Sequence, residues 1–354
     1  MHWNSDDSFP PAEGGWASWR PPYGRRRSGE RAVRRAIRQW HPLDPLLVSV
    51  PGALRLLPPI CFDELAAALQ RKTILQYSSL MVLMVMMGLG FTAAGFLLND
   101  SFFLKVGAAL ALLFVFVLLQ HIAIFRHLDR LRYYARFFAW TYLQPRANVI
   151  AMGSLFAIAG ALQWFLQTST GSLFAMIERY GLVVDSAPEQ PWRYLIGPFF
   201  HANLAHWAAN ASLLIVAAGL GNALGRALPI WTIFLFGTVV PGVVLTFLPH
   251  WIGSDAYLGI SGGVFALYGW CIGIAFRNRL SFPFGFWWVV GYFAVATGIT
   301  SSLLDPRASW FAHGFGLLTG IAAGLLAMGV KSDLESQPQT SAQTDRIRDP
   351  DIRR

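Results

Sequence analysis

Three groups of residues in this chain have the types and spacing for acyl-transfer chemistry. Ser261 lies in "GISGG" at residues 259–263, inside an otherwise apolar stretch. His206 and Asn210 stand four apart in "HANLAHWAAN", which begins at His201, and His313 lies in "WFAHGFGLLTG". A serine hydroxyl becomes a useful nucleophile when a histidine takes its proton, and the histidine can later return that proton to a leaving group. The spacing of four puts His206 and Asn210 on one helical face, one turn apart. Ser261 opens a helix just after Gly259, so its backbone N–H is one of the donors a helix leaves unpaired. The helix dipole also favours negative charge there, which suits an oxyanion. Taken alone, Ser261 admits two readings, helix packing or nucleophile, because Ser and Gly routinely bring membrane helices together. A histidine in hydrocarbon is less common, since its ring nitrogens need partners there.

The elements that would carry these residues are membrane helices. Of the 354 residues 55% are hydrophobic and only 13% charged, with a mean hydropathy of +0.44, away from soluble composition. The apolar residues fall into eight blocks of about 18 to 25, the length that crosses about 30 Å of hydrocarbon as a helix. They run Ile74–Leu98, Phe102–Phe125, Val149–Leu166, Leu204–Leu224, Ile230–Leu248, Tyr257–Phe276, Phe284–Leu304 and Trp310–Val330. No block lies in the Pro-, Gly- and Arg-rich first 45 residues, so no cleavable signal peptide is expected.

The formal charge of +9 follows the loops, which argues against a nucleic-acid partner. Arginines crowd "RRRSGERAVRRAIRQW" before the first block, and Arg126, Arg130, Arg132, Arg136 and Arg146 lie between the second and third. Arg226, then Arg277 with Arg279, mark later loops on the same side; the alternate loops hold only Arg179, Arg193 and Arg307. By the positive-inside rule both termini are expected in the cytoplasm. The blocks bearing His206, Ser261 and His313 then all run from outside to inside. Their polar residues share one depth, about 5 to 12 Å below the outer surface.

Along the chain, residues 1–45 read as a basic, disordered cytoplasmic tail, with Arg34, Arg35 and Arg38 on a short helix able to touch anionic lipid. Residues 46–73 read as an interfacial segment in which Asp63 caps "DELAAALQRK". Residues 74–125 form a hairpin closed by Asn99–Ser101, residues 126–148 a basic loop, and residues 331–354 a polar cytoplasmic tail. The long outer connection carries Leu173, Met176, Ile177 and Tyr180 at helical spacing, which predicts a short interfacial helix. Gly316, Gly320 and Gly324, and on the other block Gly262, Ala266, Gly269 and Gly273, form small-residue stripes that would let the Ser261 and His313 helices meet. Cys61 and Cys271 are expected as free thiols.

At these motifs the chain closely resembles the rhomboid family of intramembrane serine proteases. The matching stretches are "GISG" at Gly259–Gly262, "AHGFG" with Gly320, "HANLAHWAAN", and "WRY" at Trp192–Tyr194. The resemblance implies an all-α membrane protein with a rhomboid-like six-helix core over residues 149–330, preceded by an additional two-helix hairpin, eight spans in total. It implies Ser261 as nucleophile, His313 as general base without a third acid, and an oxyanion hole of His206, Asn210 and the Ser261 N–H. Gly259, Gly262, Gly316, Gly320, Phe265, His201, Trp192 and Arg193 would support the site. Phe265 stands where family members often place a tyrosine against the catalytic histidine, and a phenyl ring can still stack there. The implied partners are transmembrane protein substrates and the bilayer, in a bacterial inner membrane.

Other mechanisms fit less well. No H-E-x-x-H signature is present and no intramembrane carboxylate stands near His201 or His206, so no metal or cofactor is expected. An aspartyl mechanism needs two membrane carboxylates, and Asp255 has no companion. His201 reads chiefly as orienting the outer loop, and Trp192 and Arg193 as anchoring it. A transporter would need a polar pathway at the midplane, whereas these groups gather near one face. The alternative is a catalytically silent rhomboid-like binder of transmembrane clients. That reading would expect Ser261 or His313 to be lost, and both are present.

Overall fold

The computed structural model describes residues 3–248, 256–304 and 309–327. Asp255, Arg307 and the 331–354 tail lie outside them. The chain begins with a three-stranded antiparallel sheet of β1 (Ala17–Trp19), β2 (Arg27–Ser28) and β3 (Leu47–Ser49) in the order β2-β1-β3, with helix α1 (Glu30–Gln39) beside it. The long helices α2 (Asp63–Leu98) and α3 (Ser101–Gln120) follow, then α4 (Leu128–Leu143), α5 (Ala147–Thr170) and the short α6 (Leu173–Tyr180). Strand β4 (Leu182–Val183) and the single turn α7 (Arg193–Ile196) lead to α8 (Leu204–Leu224) and α9 (Ala227–Phe247). Strand β5 (Ala256–Tyr257), α10 (Ser261–Arg277), α11 (Phe286–Leu304) and α12 (Trp310–Leu326) complete the described chain.

Six of these helices, α2, α3 with its π-helical extension to Phe125, α5, α8, α9 and α11, are long and apolar enough to cross a membrane. The protein is thus an integral multi-pass membrane protein. The other two expected spans are α10 and α12, of 17 residues each and about 26 Å long. Block six shortens because its first residues are strand β5, paired with β4, and Gly259 at φ 100° delays the helix to Ser261.

Three expectations for the first half are corrected. Residues 3–45 do not form a solvated tail: Trp3, Phe9, Val33, Ile37 and Trp40 are buried, and Arg20 forms a paired hydrogen-bonded bridge to Asp44. The expected 46–73 segment has no separate interfacial helix, because α2 runs unbroken from Asp63 for 36 residues with Phe62, not Asp63, at its N-cap. The expected 126–148 loop is mostly helix α4, whose Leu131, Tyr134 and Phe137 are buried beneath the N-terminal unit. Arg132 and Arg136 of α4 pair with Asp63 and Asp6. Charges that look like loop solvation in the sequence are spent on holding this unit together. Cys61 and Cys271 are free, and burial pushes the Cys61 thiol up to about 12, opposed by nearby Arg136.

The hairpin closes as expected: Asn99 adopts a left-handed conformation, and the Asp100 side chain accepts from Phe102 N–H. Helix α10 is the hub, buried from Ser261 through Ala275, while α2, α3 and α5 expose most of their apolar surface. Small residues let neighbours reach it. A methyl group on Gly269 would strike the Leu317 carbonyl of α12, and one on Gly263 would strike Thr238 and Phe234 of α9. Where two backbones come this close, van der Waals contact substitutes for the hydrophobic effect that lipid cannot supply.

Candidate active site

The turn before α10 sets the geometry. Gly259 takes a positive φ that side chains rarely adopt, and a Cβ there would lie 3.0 Å from His206 Nε2 and 3.4 Å from Asn210 Nδ2. The backbone leading to Ser261 therefore lies against the His206–Asn210 face of α8. Asn203 caps that helix, its side chain accepting from His206 N–H at 2.8 Å. Asn210 is 3% exposed, and its Nδ2 is buried with no hydrogen-bond partner.

From the other side α12 brings His313. Ser309 caps it by accepting from Ala312 N–H at 3.2 Å, which fixes the turn that carries the histidine. The glycine stripes meet: a methyl group on Gly316 would strike the Gly262 carbonyl, and one on Gly262 would lie 3.3 Å from the Ala312 carbonyl. Ser261 and His313 are the immediate neighbours of this contact, and both are buried. The His313 ring stacks on Phe265 with centroids 4.4 Å apart and planes 15° from parallel. Its Nδ1 is buried without a partner. Among the described residues no hydrogen bond joins the Ser261 and His313 side chains, and such pairs are often loose without substrate. A groove of about 400 Å³ between α11 and α12 is lined by His313, Phe265, Gly298, Ser302 and Trp310. Val295 and Trp310, also in its lining, are exposed.

The remaining candidate residues lie in the scaffold around this centre. His201 is fully buried, its Nδ1 3.0 Å from the Phe199 carbonyl and its ring edge-on to His206 at 5.0 Å. Arg193 is buried and donates to the Gly181 and Glu178 carbonyls and to Gln190 Oε1, so its guanidinium ties the outer loop together. Trp192 is partly exposed beside it, the guanidinium carbon 5.1 Å from its ring centroid. Gly320 brings α12 onto the Ala266 carbonyl one turn further along the stripe.

Three contributors escaped the sequence reading. Gln163 of α5 grips His201 through both backbone groups, accepting from its N–H at 2.8 Å and donating to its carbonyl at 2.7 Å. A lone glutamine in an apolar block was the available signal. Gly298 lets α11 approach Phe265 and His313, and the buried Tyr257 hydroxyl sits beside Gly262. Neither had a sequence signal beyond residue type.

Among the described residues no cluster of His, Cys, Asp or Glu has the grouping to hold a metal ion. No curated protein and no solved structure matches the chain. The family model described as the Rhomboid domain matches residues 188–329, a stretch that starts later than the expected core but contains the Ser261, His313 and His206–Asn210 helices. Those residues are similar to a rhomboid domain.

Proposed function

We propose that this protein is a serine endopeptidase that hydrolyses peptide bonds in or beside transmembrane segments, with Ser261 as nucleophile and His313 as general base. The observation that carries the reading is the Asn210 amide. A buried side-chain donor in a membrane interior costs free energy unless it is bonded, and native structures leave few such groups unsatisfied. Asn210 Nδ2 is unsatisfied and faces the backbone two residues before Ser261. A donor held empty beside a serine suits an acceptor that appears only during the reaction.

In the proposed reaction Ser261 Oγ attacks the carbonyl carbon of the scissile bond while His313 takes the hydroxyl proton. The carbonyl oxygen becomes an oxyanion that accepts hydrogen bonds from Asn210, His206 and the Ser261 N–H, donors fixed in advance of the charge. Collapse breaks the C–N bond, and His313 returns its proton to the leaving amine. Water, deprotonated by the same imidazole, then releases the acyl group from Ser261. The substrate has to unwind locally first, because helical carbonyls are already bonded. The groove between α11 and α12 supports sideways entry from the bilayer. By the positive-inside rule the arginine-rich end faces the cytoplasm and the site the opposite side, as in a bacterial inner membrane.

Purified Ser261→Ala is expected to lose cleavage of a transmembrane substrate by at least about 10⁴-fold. Wild-type protein should also take up a serine-directed fluorophosphonate that the variant does not. Folded wild-type protein that neither cuts nor labels, yet still captures transmembrane segments, would make it the silent binder instead.

A further inference from the structure

Among the described residues, the end of the bundle remote from Ser261 holds a cation without a counter-ion. Helices α4, α5 and α8 meet there around a cleft of about 130 Å³, lined at one end by Arg146, Tyr142 and Asn222 and at the other by Val149, Ile215 and Val216. The Arg146 guanidinium lies 4.5 Å from the Tyr142 ring centroid, and its Nε is buried with no hydrogen-bond partner. Among the described residues no acidic side chain pairs with Arg146 and none lines the cleft.

The turn that presents Arg146 is held firmly. Asn222 of α8 donates to the Pro145 carbonyl, and Asn148 donates to Asn222 Oδ1 at 2.8 Å. These bonds occupy both functional ends of Asn222, so they position the arginine without neutralising it. A guanidinium with one N–H shut away from water gains from an acceptor that brings negative charge, and its planar fork matches a phosphate. Ile215 and Val216 are 55% and 49% exposed, so the apolar end of the cleft continues as open surface along a membrane-spanning helix. A site that is cationic at the bundle's end and apolar along its flank fits a molecule with the opposite layout.

We infer that the Arg146 cleft is a binding site for the phosphodiester headgroup of a phospholipid, whose acyl chain lies along Val149, Ile215 and Val216. An anionic glycerophospholipid is favoured over a zwitterionic one, because no carboxylate in the lining would match an ammonium group. The cleft has room for about four waters' volume, enough for a phosphate group and little more.

The test is native mass spectrometry of the full chain, extracted from bilayers of mixed phosphatidylcholine and phosphatidylglycerol. Wild-type protein should retain phosphatidylglycerol, Arg146→Gln should retain about tenfold less, and Arg146→Lys should fall between, since lysine keeps the charge but loses the fork. Arg226→Gln, at an exposed arginine just beyond the end of α8, should retain as much as wild type. Equal retention by Arg146→Gln, or equal loss in Arg226→Gln, would overturn the site. Any Arg146 variant with lowered thermal stability is read against Tyr142→Leu, which keeps the arginine but removes its ring and should weaken retention less. Inorganic phosphate that protects detergent-solubilised protein through Arg146, with no lipid retained, would assign the cleft to the free ion instead.

Discussion

At the scale of single residues, the proposed site separates groups that would perform chemistry from groups that hold them. Asn210→Ala removes one oxyanion donor and leaves two in the proposed hole, so kcat should fall by about 10²-fold with little change in KM. A raised KM at unchanged kcat would place Asn210 in substrate binding instead. Because the base must be unprotonated to accept the Ser261 proton, kcat/KM should rise with pH along an acid limb. A pH-independent kcat/KM across the acid range would remove His313 from that role. Phe265, stacked at 4.4 Å, gives His313 a fixed ring orientation that elsewhere a carboxylate supplies through a hydrogen bond. Gln163 acts one step further back, by fixing the His201 backbone whose ring abuts His206. The proposed reacting residues were legible in the sequence because His and Asn are rare in apolar blocks and Ser261 follows Gly259 where a helix opens. Gln163, Gly298 and Tyr257 were not, because their meaning depends on which helix each one faces.

At the scale of elements, the site exists because helices α10 and α12 touch along glycines. A side chain at Gly320 would strike the Ala266 carbonyl and sit 2.9 Å from Trp270 N, both on backbone that cannot turn away. Gly320→Val should therefore destabilise the fold by about 1–3 kcal/mol or more, seen as a lower unfolding temperature in detergent. Activity should fall with it, since His313 shares the displaced helix, and an unchanged unfolding temperature would mean that the stripe does not join α10 to α12. The glycine spacing announced this pairing in the sequence, because a repeat of four marks one helical face. Periodicity also located most of the spans. It failed where an element is set by a distant partner: β5 pairs with β4, more than 70 residues earlier in the chain. A local window holds only one half of such a pair.

At the scale of the whole molecule, residues 3–45 are a structural part of a protein whose proposed chemistry lies wholly beyond residue 190. Composition suggested solvation because arginine, proline and glycine dominate there, but Trp3, Phe9, Val33, Ile37 and Trp40 between them are buried. Trp3 donates its indole N–H to the Ser281 carbonyl at 2.8 Å and packs edge-on against Phe137, so the first described residue of the chain holds the loop after α10. Deleting residues 1–45 would expose Phe137 and Leu131, strip Arg136 of Asp6, and leave Lys72 without its two carbonyl acceptors. Each large apolar side chain withdrawn from this core gives up about 1.5–3 kcal/mol, so the losses should add to a clear fall in thermal stability. Among the described residues, none of 3–45 forms a hydrogen bond, ion pair or ring contact with Ser261, His313 or Asn210, and none lies at the glycine contacts that join α10 to α12. The truncated protein should thus lose activity at a lower temperature than the full chain, yet match its kcat when both are assayed well below that point. Two assays on one preparation decide this: a thermal inactivation curve and a turnover number normalised to fluorophosphonate-labelled sites. An unshifted inactivation curve would make the N-terminal unit a passenger. A shifted curve with a lowered kcat per labelled site would make it part of the catalytic apparatus, acting through the loop that Trp3 holds.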